Sequence, residues 1–196
     1  MVEALAQRFS GYLVSIQATN EDDREIVSYG LFHIFSGALQ IAILAITGLL
    51  FGILPQIIAY TICFGCLKRY AGGVHANRHW VCLWGFTLLA NLSCLICSLL
   101  SSYLRLHASI AVCTMTLLII LMKAPVTHPN NPKPAHKLKK LRRITVSIAF
   151  IQLTIILAAS FIAPERAHAY ILCGSAGGLT AAVTLLLPMP AESERR

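Results

Sequence analysis

The sequence predicts an all-α membrane protein, a polytopic bundle of about six spans, two of them short, with an amphipathic helix at its N-terminus. Three observations carry this. Of the 196 residues 57% are hydrophobic and only 12% charged, against about 25% charged in a soluble domain. Mean hydropathy is +0.70. Leu31 to Leu67 is a run of 37 residues without one Asp, Glu, Lys or Arg, whereas about 20 apolar residues cross the hydrocarbon once.

Residues 1–20 place Leu5, Phe9, Tyr12, Leu13 and Ile16 at helical spacing, the pattern of an amphipathic helix. Such a helix either lies in the membrane interface or packs on the bundle. No apolar segment with a cleavage site precedes it, so no signal peptide is expected. Asn20 to Glu25 is polar and fits a helix start. The uncharged run from Leu31 to Leu67 then reads as two short spans turning near Gly48–Pro55, where Gly48, Gly52 and Pro55 break the helix.

Lys68 to His79 is a polar, glycine-containing loop. Trp80 to Tyr103 reads as the third span, with aromatic anchors near its ends. A break holding Arg105 follows, and His107 to Met122 is a short fourth span of 16 residues. Lys123 to Arg143 carries four prolines, seven Lys or Arg and no acid, and reads as a second polar loop. Ile144–Ala163 and Ala169–Leu187 are the fifth and sixth spans, separated by a turn at Pro164–His168. The whole is expected to be one membrane domain, 1–196, with an N-terminal segment at 1–30, a functional loop at 68–82 and a basic loop at 123–143.

The charges orient it. With six spans and the N-terminus inside, 14 of the 16 Lys and Arg residues fall inside, and only Arg105 and Arg166 outside. That bias is the positive-inside rule. It explains the net charge of +8 without nucleic acid. It also predicts cytoplasmic termini and cytoplasmic polar loops. Seven cysteines lie at 63, 66, 82, 94, 97, 113 and 173. Six sit inside apolar runs, as small hydrophobe-like thiols rather than a disulfide framework. Cys82 differs, because it borders the polar loop.

A thiol is a nucleophile as its thiolate, which a neighbouring histidine and positive surroundings favour. Cys82 has His75, His79, Arg69 and Arg78 close in sequence. On one continuous helix His75 and Cys82 would share a face but stand about 10 Å apart, beyond the reach of about 3 Å that a base needs. Service by His75 therefore requires a bend, for which Gly72–Gly73 and a loop-to-helix transition around Asn77–Trp80 provide. His79, three residues before Cys82, needs no bend, and from spacing alone is the better placed. His75, His79 and Cys82 also spell a three-ligand metal set, but no HExxH motif or acidic ligand accompanies them. No metal and no cofactor are expected. The CxxC spellings at Cys63/Cys66 and Cys94/Cys97 lie within spans and read as packing residues.

The arrangement Arg69-x3-Gly73-x-His75-Ala, with Cys82 seven residues after the histidine, resembles the signature of the AgrB family, membrane cysteine endopeptidases of bacterial quorum sensing. Chain length, the amphipathic start and the stretch Ala124–Asn130 before the basic loop agree, so the resemblance covers nearly the whole chain. It implies that Cys82 is the nucleophile, His75 rather than His79 its base, and that Arg69 and Gly73 support activity. It further implies an AgrD-type propeptide as substrate, cleaved at its acidic C-terminal tail through an acyl-enzyme thioester and cyclised to a thiolactone or lactone. The acid-free charges Lys137, Lys139, Lys140, Arg142 and Arg143 are expected to bind that tail, although lipid anchoring would use the same charges. Membrane lipids and a second copy of the chain are the other expected partners. The competing class is a non-enzymatic scaffold or small transporter, against which stands the lack of acids within the spans.

Overall fold

The computed structural model describes residues 2–73, 79–126, 134–162 and 164–187, without the side chains of His79, Ser160 and Arg166. Among the described residues it is helical, with seven α-helices: α1 Val2–Ser15, α2 Arg24–Leu50, α3 Leu54–Ala71, α4 His79–Leu99, α5 Ser102–Lys123, α6 Ala135–Ile162 and α7 His168–Val183. The all-α membrane bundle expected from the sequence is the observed architecture. The chain divides into two compact units, Met1–Ile46 and Thr47–Arg196.

In the first unit α1 buries Val2, Ala6 and Ser10 and exposes Leu5, Phe9 and Tyr12, and Ile16 just after it is exposed as well. Large apolar side chains turned outward are what an interfacial helix presents to a bilayer. Phe9 meets Phe35 of α2 edge-on with centroids 6.0 Å apart. A 3-10 turn at Glu21–Asp23 leads into α2, and Arg24 pairs with Glu21 at 3.1 Å.

The second unit is built around α7. This helix has only 16 residues, yet it packs against α3, α4, α5 and α6. Its small residues make that possible, since membrane helices associate by close backbone approach rather than by hydrophobic exclusion. Gly177 lies against the Tyr60 carbonyl, and a Cβ at Gly174 would stand 3.2 Å from Cys63 Sγ. Tyr60 Oη donates to Thr180 Oγ1 at 2.7 Å, and Gln152 Nε2 of α6 donates to the Cys63 carbonyl at 3.1 Å. Tyr60 and Gln152 are thereby satisfied within the protein and not by lipid. Leu88, Leu92 and Ile96 on α4, and Phe150, Ile151 and Ile155 on α6, are exposed, which gives the outer surface an apolar coat.

Length and composition qualify α2, α4, α5 and α6 as membrane spans. Of the helices after α1 the short ones are α3, at 18 residues, and α7, at 16. The sequence reading made the first, second and fourth spans short; the second, α3, is short, whereas the first and fourth are not. α2 is 27 residues long because it begins at Arg24 and runs unbroken through Gly30 and Gly37, turning only at Phe51–Ile53. α5 is 22 residues long because Ser101 caps it, accepting from the Leu104 amide at 3.4 Å. The expected break at Arg105 is therefore moved to Leu100–Ser101. Arg105 is helical and donates back to the Ser98 carbonyl at 2.7 Å. The basic segment is corrected likewise. α6 starts at Ala135, so Lys137 to Arg143 are helical, and Lys123 is the last residue of α5.

The α3–α7 contact yields a test. Gly177→Leu would drive a side chain into the Tyr60 backbone, and a loss of about 2 kcal/mol or more is expected. Gly65→Ala, where a Cβ meets nothing within 4 Å, should cost nothing. Thermal unfolding in detergent, followed by tryptophan fluorescence, measures both.

Candidate active site

Helices α3 and α4 form an antiparallel pair joined by the glycine loop. Phe86 of α4 meets Phe64 of α3 at a tilt of 43°, ring centroids 4.5 Å apart, and lies 6.0 Å from Tyr60. One turn nearer the loop the same faces carry Lys68 on α3 and Cys82 on α4, since residues four apart share a helix face. Cys82 is a free, exposed thiol in the first turn of α4, where the helix dipole favours negative charge.

α4 is described from His79 onward, and most of the loop-to-helix transition expected around Asn77–Trp80 lies outside the described residues. His75 and Arg78 lie outside the described residues, as does the side chain of His79. Arg69 is exposed at the end of α3, its guanidinium 5.9 Å from the ring centroid of Tyr70. Both Lys68 and Arg69 sit in the last turn of α3, where positive charge complements the dipole.

The loop leaves α3 through two glycines that could not be other residues without rearrangement. Gly72 and Gly73 have φ of +78° and +95°, a region costly for residues with a Cβ. They are also enclosed. Gly72 bridges to Val126, whose amide donates to the Ala71 carbonyl at 3.0 Å. A Cβ on Gly72 would meet the Val126 carbonyl, and one on Gly73 would come within 2.7 Å of Thr184 Oγ1 and 2.9 Å of its carbonyl. Sequence reasoning singled out Gly73 and treated Gly72 as a source of flexibility. The structure gives both the same role, packing the loop onto the segment after α5 and the end of α7.

That packing collects functional groups at one end of the second unit. Leu67, Ala71, Ile120, Ala124, Ala181 and Leu185 form an apolar floor there. Above it Lys68 Nζ donates to Thr184 Oγ1 at 2.8 Å, and Thr184 donates in turn to the Ala181 carbonyl at 2.7 Å. Lys68 lies past the apolar run of α3, and burial pushes its amine down to about 8, with the charge of Cys82 opposing. Lys68 and Thr184 are site residues that sequence reasoning missed. Lys68 read as one more loop cation, and Thr184 is 116 positions away.

Lys137, Lys139, Lys140, Arg142 and Arg143 are all exposed on the first turns of α6. Arg142 reaches the Leu121 carbonyl at 3.3 Å, which ties α6 to the same end as Cys82. Cations at a helix start oppose its dipole, so helix stability does not account for them. Among the described residues no group of three His, Cys, Asp or Glu side chains could hold a metal.

The profile of the AgrB family, accessory gene regulator B, matches residues 6–185. The chain belongs to the AgrB family. Two proteins of Clostridium perfringens named AgrB-like are similar over 161 residues, 79% of this chain and 75% of theirs. The one from strain SM101 is 26% identical and the AgrB-like protein 2 of strain 13 is 25% identical. No solved structure matches. Membership of this family, with four helices able to span a bilayer, supports a membrane protein with a part in quorum-sensing propeptide processing.

The enclosure of Gly73 predicts that Gly73→Ala loosens the loop. Forcing a Cβ at that φ costs about 1–3 kcal/mol. Limited proteolysis between α3 and α4 should speed up about five-fold or more, as the open form gains population. Gly85→Ala, with nothing within 4 Å, should leave it unchanged.

Proposed function

We propose that this protein is a cysteine endopeptidase that removes the C-terminal tail of an AgrD-type propeptide and leaves the remainder activated for ring closure. The observation that carries the reading is the family match across residues 6–185, joined to an exposed Cys82 facing the cationic end of α3. Cys82 is the nucleophile and His75 the base. Arg69 and Gly73 support them.

The sulfur of Cys82 attacks the carbonyl carbon at the tail junction, and His75 takes the thiol proton. The C–S bond forms, the C–N bond breaks, and His75 returns the proton to the departing amine. The propeptide is then a thioester on Cys82. Its own Cys or Ser side chain gives its proton to the now neutral His75, attacks that carbonyl, closes the ring and releases Cys82 as thiolate. Restricted water at a membrane face favours ring closure over hydrolysis.

The site and both termini face the cytoplasm of a bacterial cell membrane. Within the second unit the cations of α3, α5 and α6 gather at the Cys82 end, whereas Arg105 marks the opposite one. The α6 cations bind the acidic tail of the propeptide by charge complementarity.

Purified protein in lipid vesicles with the small peptide encoded beside it tests the chemistry by mass spectrometry over time. Cys82→Ala and His75→Ala should abolish tail cleavage, a loss of about 10³-fold or more, while His79→Ala stays active. Cleavage by Cys82→Ala would end the peptidase reading in favour of a scaffold or transporter. Charge removal at Lys137 with Lys139, or Lys140 with Arg142, should raise the propeptide concentration needed by about ten-fold or less, and less so in high salt. Unchanged cleavage with normal membrane insertion would contradict tail binding.

A further inference from the structure

We propose that Lys68, held in place by Thr184, is the fixed positive charge beside Cys82 against which negative charge forms on the sulfur and, during attack, on the substrate carbonyl oxygen. The inference rests on the cysteine-nucleophile reading and adds a residue to it.

The placement follows from the α3–α4 pair. With Phe64 on Phe86 at 4.5 Å, the next residues toward the loop on the facing stripes are Lys68 and Cys82, and their charges act on each other. Of the two adjacent cations that close α3, Arg69 turns outward over Tyr70. Lys68 turns inward to Thr184 at 2.8 Å. A long side chain ending in an ammonium has several rotamers to lose, and the hydroxyl of Thr184 selects one. Thr184 is itself oriented, donating to Ala181 at 2.7 Å and touching Gly73. The same threonine thus seats the cation and the glycine of the loop.

The setting strengthens the charge. Leu67, Ala71 and Ala181 lie beneath it, and a charge over an apolar floor acts further than one in water. Desolvation opposes an ammonium there, and accordingly burial lowers Lys68 to about 8, with Cys82 pulling the other way. At neutral pH Lys68 is therefore mostly charged, and it loses that charge as pH rises through about 8. Around it α4 brings Cys82 and α7 the neutral Thr184. The residues of α5 and α6 packed in the cluster with the adjoining Leu67 and Ala71, namely Ile120, Val146, Ile148 and Ala149, do not titrate.

Iodoacetamide labelling of the full chain in phosphatidylcholine vesicles, resolved by site with mass spectrometry, reads Cys82 without a substrate. Cys66, also exposed, is the internal control. Near neutral pH, Lys68→Met should slow labelling of Cys82 about ten-fold and leave Cys66 unchanged. Lys68→Arg should hold the rate within about two-fold, because Arg stays charged. Thr184→Val should fall between them. The ratio of Lys68→Arg to wild type should grow above about pH 8, where only the wild type loses its cation. A role in packing alone would not produce that growth. Equal labelling in Lys68→Met and wild type would overturn the proposal. If Lys68→Met does not fold, the Lys68→Arg comparison decides, and a ratio that stays flat across pH overturns it. Lys68-dependent labelling in a protein that cleaves no propeptide would refute the peptidase and keep this inference. Cys82-dependent cleavage with labelling indifferent to Lys68 would do the reverse.

Discussion

Gly177 sets the α7 backbone directly against the Tyr60 carbonyl of α3, and the geometry of the second unit depends on that approach. The two helices run parallel, with Gly174 over Cys63 near the middle and Thr184 beside Lys68 at the end. Because the backbones nearly touch, the last turn of α7 reaches the loop that leaves α3. Gly73 can then close on Thr184, and Gly72 on Val126. A larger residue at 177 would push Thr184 away and remove the wall on which the loop rests. A 16-residue helix that reads as a weak span is in this way the framework of the site.

The same contact separates two electrostatic environments. Within the bundle neutral polar groups join one helix to another, as in the Tyr60–Thr180 and Gln152–Cys63 bonds. At the loop end, cations accumulate on α3, α5 and α6 with no acid beside them in sequence. Some serve the helix to which they belong, as Lys68 and Arg69 do at the end of α3. Others do not, since Lys137 opposes the dipole in the first turn of α6 and the four cations after it lie beyond its reach. An anionic partner would give this second group a purpose, and an acidic peptide tail and an anionic lipid headgroup both qualify by charge. The resulting field lies where a thiol at a helix start meets a loop enclosed by glycine contacts.

Much of this was legible in the sequence because it is written in local runs. The uncharged stretch from Leu31 to Leu67 exceeds one span, and its break at Phe51–Ile53 falls among the glycines and proline that predicted it. The polar loop and Cys82 stand out against their apolar surroundings in the same way. What was not legible depends on weak or distant signals. A serine cap at Ser101 outweighed a charged residue at Arg105, so α5 began earlier than the charge pattern implied. Basic residues look like loop until a helix start places them, and Ala135 does so for Lys137–Arg143. Lys68 could not be told from Arg69 by position. Only Thr184, 116 residues on, distinguishes the inward cation from the outward one.

The central claim is that Cys82 carries the substrate covalently. Brief reaction of the vesicle-embedded protein with the small peptide encoded beside it, quenched in acid and digested, exposes the Cys82 peptide to mass spectrometry. The account predicts an added mass equal to the propeptide without its C-terminal tail, labile to hydroxylamine as a thioester is. Tail release with Cys82 unmodified at every time point, and equally fast in Cys82→Ala, would contradict it.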